Sequence, residues 1–277
     1  MALPIKKVYV DSKYKTKDSI SDSNFKFELP QTILTPHNCV FFVDDVAIPH
    51  SWYTVNDHNY KLFLRTIDAQ GAMNDYVLYI PRQVYNGSSF ASQLGALIQS
   101  ATSIAPQVVY SASKHTISVF IGSLIFSFLT DEDMRTDLPA GFSWNGDYYD
   151  KNNLASANDL IGNNSKTTTT HTSTAPYEKP LILNPIRNIY IHSPNLGNFN
   201  TFSANGQTTV IKKVPVTNNF GEMIFDSFMA SNDSLDCSRQ TLKTLEFRLT
   251  DVDGVEIPLN GNYCSFSIVF DQMNPNM

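Results

Sequence analysis

Residues 245–270 constrain the fold more tightly than any other part of the chain. In Leu245-Glu246-Phe247-Arg248-Leu249-Thr250, apolar and polar residues alternate, which puts Leu245, Phe247 and Leu249 on one face of a strand. Asp253-Gly254 follows, a pair suited to the positive φ angles of a tight hairpin turn. Val255 to Leu259 reads as the return strand, and Asn260-Gly261 turns the chain again into Tyr263 to Phe270. There Cys264, Phe266, Ile268 and Phe270 share a face. Short antiparallel strands joined this closely predict a sandwich or jelly roll.

The same two-residue period recurs at the other end of the chain. Lys7 to Asp11 reads as a strand, and Phe25, Phe27 and Leu29 alternate with Lys26 and Glu28. Cys39 to Ile48 is more continuously apolar and ends at Pro49, as expected of a strand covered on both faces. Further strands are expected over Asn188 to His192, Thr209 to Val216 and Glu222 to Phe228. The two outer portions supply about eight strands, the number a jelly roll needs, and neither alone covers both sheets. Between them lie strands at Tyr60 to Ile67 and Tyr76 to Ile80. Then comes a helix with Phe90, Leu94, Leu97, Ile98 and Ala101 on one face, followed by a strand pair at Gln107 to Tyr110 and Thr116 to Ile121 and a third strand at Ser123 to Leu129. The fold class expected is mainly β: a single jelly-roll β-sandwich with an inserted α+β domain, one principal helix covering about 88–102. The sandwich is split between 1–55 and 181–277, and 56–180 is the insert, with a long Thr/Asn-rich loop after 131.

Composition narrows the function. Charged residues are only 17% of the 277, against roughly 25% in an ordinary domain, while Ser (27), Thr (22) and Asn (25) make up about a quarter. With 20 Lys+Arg against 26 Asp+Glu and no basic block, there is no strong nucleic-acid signature. Lys6, Lys7, Lys13, Lys15 and Lys17 are interspersed with Asp11 and Asp18 and read as solvated. Cys39, Cys237 and Cys264 are far apart, odd in number and form no C-x-x-C pair. They read as buried small hydrophobes rather than a disulfide scaffold or zinc site. No stretch of 18 apolar residues predicts a membrane span, and Met1 to Lys7 lacks the apolar core of a signal peptide, so synthesis in the host cytosol is expected.

Motifs for chemistry are missing. None of the six histidines has the spacing of a metal pair, and the nucleophile-elbow, P-loop and dinucleotide glycine patterns do not occur. His50, Trp52, Asp57 and His58 form the only His-acid cluster and read as a polar loop. Asp44 and Asp45 are adjacent on a strand, so they are expected on opposite faces and not as a facing pair. Asp131 to Asp133 read as a helix cap, and Asp251 to Gly254 as a turn rather than a calcium loop. No catalytic residue, cofactor or metal is therefore expected. A neutral, aromatic-rich exterior suits subunit contacts, and the polar stretches Tyr14 to Asn24 and 131–180 read as arms that order on a neighbour. Trp144, Tyr148 and Tyr149, with Trp52 elsewhere, are candidates for stacking on a glycan or receptor.

Several phrases carry a resemblance. They are Tyr9-Val10-Asp11-Ser12-Lys13 leading to Phe25-Lys26-Phe27-Glu28-Leu29, and Val43-Asp44-Asp45-Val46-Ala47-Ile48-Pro49. Ile189 to Ser193, Leu245 to Asp251 and Ser265 to Ile268 continue it, and within the insert so does Val77 to Ile80 leading through Tyr85-Asn86-Gly87 to a helix ending near Gln99. In these the chain resembles the penton or minor capsid proteins of virophages, polintons and polinton-like viruses. The resemblance implies a single jelly roll with an inserted upper domain and no catalytic residues. It also implies a homopentamer at the five-fold vertices of an icosahedral capsid. There the expected partners are a double jelly-roll major capsid protein, possible other minor capsid proteins and a possible host receptor. The alternative is a trimeric viral attachment or glycan-binding β-sandwich.

Overall fold

A computed structural model describes residues 6–136, 143–144, 147–148, 150–172, 174–196, 201, 203, 206–227 and 233–272. In chain order come β1 (Lys6–Asp11), β2 (Asn24–Leu34) and β3 (Cys39–Pro49). Next are β4 (Lys61–Ile67), β5 (Met73–Tyr79), α1 (Gly87–Thr102), β6 (Gln107–Ser111) and β7 (Thr116–Phe120). β8 (Ile125–Phe128), the short α2 (Asp131–Thr136), β9 (Ser143–Trp144), β10 (Asp147–Tyr148) and β11 (Tyr177–Pro180) follow. The last third holds β12 (Asn188–His192), β13 (Val210–Pro215), β14 (Met223–Asp226), β15 (Leu235–Asp236), β16 (Thr241–Thr250) and β17 (Ser265–Gln272). These elements sort into two compact units, Met1–Trp52 with Ile186–Met277, and Tyr53–Pro185.

The first unit is a two-sheet sandwich. One sheet runs β1-β17-β3-β14, with β15 also on β3; the other runs β13-β12-β16-β2. Every pairing is antiparallel, and each sheet interleaves strands from the beginning and end of the chain, the arrangement of a jelly roll. The alternations read from the sequence set the register: Phe247 pairs with Phe25 and Leu245 with Phe27. Phe25 and Phe247 lie 5.6 Å apart in one sheet, and Phe247 meets Phe266 of the other edge-on at 4.9 Å. Around these rings Val43, Val46, Ile48, Ile189, Ile191, Leu249 and Ile268 close the core.

Two expectations change here. Val255 to Leu259 is not a strand: it touches β16 through a single bridge, Thr250 to Glu256. The turn does form, with Gly254 at φ +81 and the Asp251 carboxylate accepting from the Asp253 and Val255 amides at 2.9 Å. Pro258 then has no N–H to give a ladder. The Glu256 carboxylate is taken by Ser21, Ser23 (3.1 Å) and the Asn24 amide (3.1 Å). The segment therefore passes from the sheet of β16 to that of β17, through Asn260 and Gly261, both at positive φ. Nor is Tyr14 to Asn24 a free arm. The Thr16 amide donates to the Lys26 carbonyl at 2.9 Å, the Ile20 amide to the Asn24 carbonyl at 3.0 Å, and Lys15 pairs with Asp22.

The second unit holds the sheets β5-β4-β8 and β11-β7-β6, with α1 against β5 and β6. The Asn86 side chain accepts from the Ser89 amide and the Ser89 hydroxyl accepts from the Asn86 amide, a reciprocal cap. Phe90, Ala91, Leu94 and Ile98 form the buried face of α1. Gly87 at its start lets the Tyr110 ring lie close: a Cβ there would stand 2.2 Å from that ring and make it move. The Thr/Asn-rich stretch is tied down where it is described. Leu160 and Ile161 are fully buried, and the Asn158 amide group donates to the Leu129 carbonyl (2.9 Å) and to Asp131 (2.7 Å). His171 exchanges two backbone hydrogen bonds with Phe126.

Candidate interaction surfaces

On the outer face of the β1-β17-β3-β14 sheet, large apolar side chains stand beside the charges of Lys7, Asp44 and Asp45. β14 buries Ile224 and turns Met223 and Phe225 outward, and Phe225, opposite Ala47, is 72% exposed. Tyr9 on β1, opposite Ser267, is 71% exposed, and Phe220 stands just before β14 with 45% of its surface open. β3 contains a bulge. Phe266 pairs with Val46 and Ile268 with Val43, so β3 spends one more residue than β17 between these pairs. Val43 and Val46 both face the core, and Asp44 and Asp45 both face out. This corrects the expectation that alternation separates the two carboxylates, whereas Cys39, Val40 and Phe41 before the bulge are buried on both faces of the strand, as the continuous apolar run suggested. Asp44 is committed to Lys7 at 2.5 Å rather than to a carboxylate partner.

The outer face of the β13-β12-β16-β2 sheet is charged. Lys26 pairs with Asp18 at 2.9 Å and lies 3.9 Å from Glu246, Lys243 pairs with Glu28 at 3.1 Å, and Arg248 donates to Gln207 at 3.2 Å. Between β13 and β14, Lys212 is 8% exposed and its ammonium sits 3.3 Å from Asp226 and 3.8 Å from Asp233. That places a buried cation between edge strands of the two sheets.

His192 of β12 is 2% exposed between two hydroxyls, with Nδ1 3.1 Å from Thr209 and Nε2 3.0 Å from Thr250. Thr250 donates its own proton to the Asp251 carbonyl at 3.0 Å, so its oxygen accepts from Nε2–H and Nδ1 accepts from Thr209. Burial, with the nearby Arg248 charge, pushes the imidazole down to about 4.

In the unit Tyr53–Pro185 a cavity of about 360 Å³ opens on the β5-β4-β8 sheet, lined by Arg65, Met73, Ser127, Asp133, Thr168 and Thr170 among others. Arg65 is fixed by two bonds to Asp75, at 2.7 and 2.9 Å. Asp133 accepts from the Thr168 amide at 2.7 Å, the Thr168 hydroxyl and the Thr130 hydroxyl at 2.8 Å. Burial pushes its carboxyl upward, but these bonds outweigh it and hold it below the usual range. The walls therefore present hydroxyls, a held guanidinium and a carboxylate beside the Met73 thioether.

The residues singled out in the sequence are dispersed. Trp144 and Tyr148 lie on β9 and β10, which pair as a two-residue ladder; their side chains and Tyr149 fall outside the described residues. Trp52 is 1% exposed, stacked under His50 at 4.2 Å, and offers no ring to a ligand. His50 pairs through Nδ1 with the Asn218 carbonyl at 2.8 Å, whereas Asp57 pairs with Arg82 at 2.7 Å, so the His-acid cluster does not converge. Among the described residues no three His, Cys, Asp or Glu side chains gather as a metal would require, and no helix is long and apolar enough to cross a membrane. The sequence reading missed Phe225, Met223 and the cavity. Met223-Ile224-Phe225 alternates like any strand, and only the topology shows that it is an open edge.

The fold and these surfaces define a class: a single jelly roll interrupted by an α+β unit, with exposed aromatic and Met side chains on one edge strand of the sandwich. Along nearly its whole length the chain is similar in structure to the mavirus penton protein in its crystal structure. The TM-score is 0.53 at 11% identity, covering 97% of this chain and 100% of that one. No protein-family model matches the sequence. No curated protein matches it either.

Proposed function

We propose that this chain is a structural virion protein, five copies of which form the penton at the five-fold vertices of an icosahedral capsid. There it contacts a double jelly-roll major capsid protein, after synthesis in the host cytosol. The observation that carries this reading is the end-to-end structural likeness to the mavirus penton protein, which spans the sandwich strands and the inserted unit together. In a closed ring each interface joins two different patches of the same chain, so the two unlike faces of this sandwich suit the symmetry. Tyr9, Met223 and Phe225 supply the exposed aromatic and Met side chains in which interfaces are enriched. Light scattering tests the reading. Five times 31.0 kDa gives about 155 kDa for the pentamer, and a monomer at every concentration, in the presence of the major capsid protein as well, would overturn it.

A second reading is a trimeric attachment protein that binds a glycan through the inserted unit, with Trp144, Tyr148 and Tyr149 as stacking candidates; the hydroxyl-lined cavity of that unit supports polar ligand binding there. That reading expects three times 31.0 kDa, about 93 kDa, and glycan-array binding that Trp144→Ala abolishes.

A further inference from the structure

Two of the three cysteines meet. β15 pairs with the start of β3 in the register Leu235 to Phe41 and Asp236 to Val40, and one more step sets Cys237 opposite Cys39. The Cys237 amide donates to the Cys39 carbonyl at 2.9 Å, and the Cys39 amide donates to the Ser238 hydroxyl at 3.1 Å. Thr35 reinforces the pair: its hydroxyl donates to the Cys237 carbonyl at 2.6 Å and accepts from the Gln240 amide at 2.7 Å. The two backbones are thus held face to face independently of their side chains. The Cys237 thiol lies 3.5 Å from the Cys39 sulfur, both residues fully buried. Antiparallel partners in this register fall in the Cα range of a disulfide, and the sulfurs, 3.5 Å apart, have to close to about 2.05 Å to bond. Cys264 faces elsewhere, donating to the Asp22 carbonyl at 3.7 Å.

We propose that Cys39 and Cys237 form a disulfide when the protein passes from a reducing to an oxidising environment, and that the bond clasps the split sandwich. The two residues are 198 positions apart and enclose the whole unit Tyr53–Pro185. The bond would therefore join the N-terminal and C-terminal parts of the jelly roll covalently, and long closed loops restrict the unfolded chain most. A small disulfide of the oxidised-glutathione class supplies the oxidant. One cysteine thiolate attacks it and releases one small thiol; the second thiolate resolves the mixed disulfide and releases the other. Two cysteine thiols lose two electrons and two protons, which leave as the two small thiols. Burial pushes both thiols upward, so thiolate is scarce at neutral pH and the exchange is slow until pH rises or the site frays. This inference rests on the sandwich geometry and is independent of the oligomer.

The test uses the full chain, purified reduced and then equilibrated with oxidised glutathione, both natively and after refolding from urea in the same buffer. Alkylation under denaturing conditions and peptide mapping follow. Alkylatable thiols should fall from three to one, with Cys39 joined to Cys237 and Cys264 free. The melting temperature should rise by about 5 °C and return on reduction. Three alkylatable thiols in the refolded sample overturn the proposal, as does a bridge that maps to Cys264. A correct bridge with no change in melting temperature overturns the clasp. Cys237→Ala should abolish the response to oxidant and Cys264→Ala should keep it; should either variant fail to fold, the wild-type thiol map decides.

Discussion

On the β1-β17-β3-β14 sheet, the outward positions include Tyr9, Ser265, Ala47, Met223 and Phe225 with Lys7, Asp44 and Asp45, while Ser267 and Val269 between them are buried. On the β13-β12-β16-β2 sheet they include Lys26, Glu28, Tyr190, Lys213, Glu246 and Arg248. Inward, the two sheets obey one rule and share one core. The contrast teaches that folding of the sandwich dictates the inner chemistry and leaves the outer chemistry free. An antiparallel sheet left facing water ordinarily carries polar residues outward, as the second sheet does. The first sheet departs from that, and large exposed rings on an edge strand are a hazard unless something covers them.

The sharpest way to break the comparison is to charge the apolar face. Phe225→Asp is expected to abolish assembly and leave a species near 31.0 kDa. Its melting temperature should match that of the wild-type protomer, because Phe225 is 72% exposed and packs little in the chain itself. Lys26→Ala on the charged face should leave the assembled mass unchanged. If light scattering gave the reverse pattern, the contact would belong to the charged sheet.

A smaller effect is expected where the two sheets are stapled at their edges. Lys212→Ala removes a buried cation from between Asp226 and Asp233 and strips its aliphatic stem from the packing. The expected loss is about 3 kcal/mol in urea unfolding of the protomer. Lys212→Met restores the stem without the charge and should recover only part of it. Full recovery would assign the effect to packing alone.

The sandwich strands were legible because a half-buried strand must alternate, and Phe25, Phe27 and Leu29 or Leu245, Phe247 and Leu249 do so without interruption. Asn188–His192 was readable to the residue for the same reason. What failed was long-range. The bulge at Asp44-Asp45 is visible only once β17 lies beside β3, since nothing local says that 43 and 46 share a face. Val255 to Leu259 has a strand's alternation, but the Glu256 carboxylate finds Ser21, Ser23 and Asn24 more than 230 residues away in sequence. The surfaces were the least legible. Composition told that the exterior is poor in charge, but not which strand would turn Met223 and Phe225 outward. The three cysteines, read one by one as small hydrophobes, gave no sign that two of them meet.

The most gradual difference between the sheets should be a pH dependence seated in the charged one. His192 is neutral in the fold, held down to about 4 by burial and by Arg248, the residue opposite it in the ladder. Above pH ~6.5 both folded and unfolded chains carry a neutral ring, and the residue adds no slope. Below it the unfolded chain binds a proton that the folded chain refuses, so stability falls with pH until the folded ring titrates near 4. The loss across that window is about 3 kcal/mol. His171 in the unit Tyr53–Pro185 is also held down by burial and acts in the same direction, so the measurement must be differential. Urea unfolding of wild type and His192→Gln should run parallel above pH 7, and as pH falls toward 4 the variant should gain on wild type by about 3 kcal/mol, because the amide keeps a donor and an acceptor for Thr209 and Thr250 but takes up no proton. Curves that stay parallel to pH 4 would show that the ring is charged in the fold, and with it that the core beneath the charged face is wetter than the contacts of Thr209 and Thr250 imply.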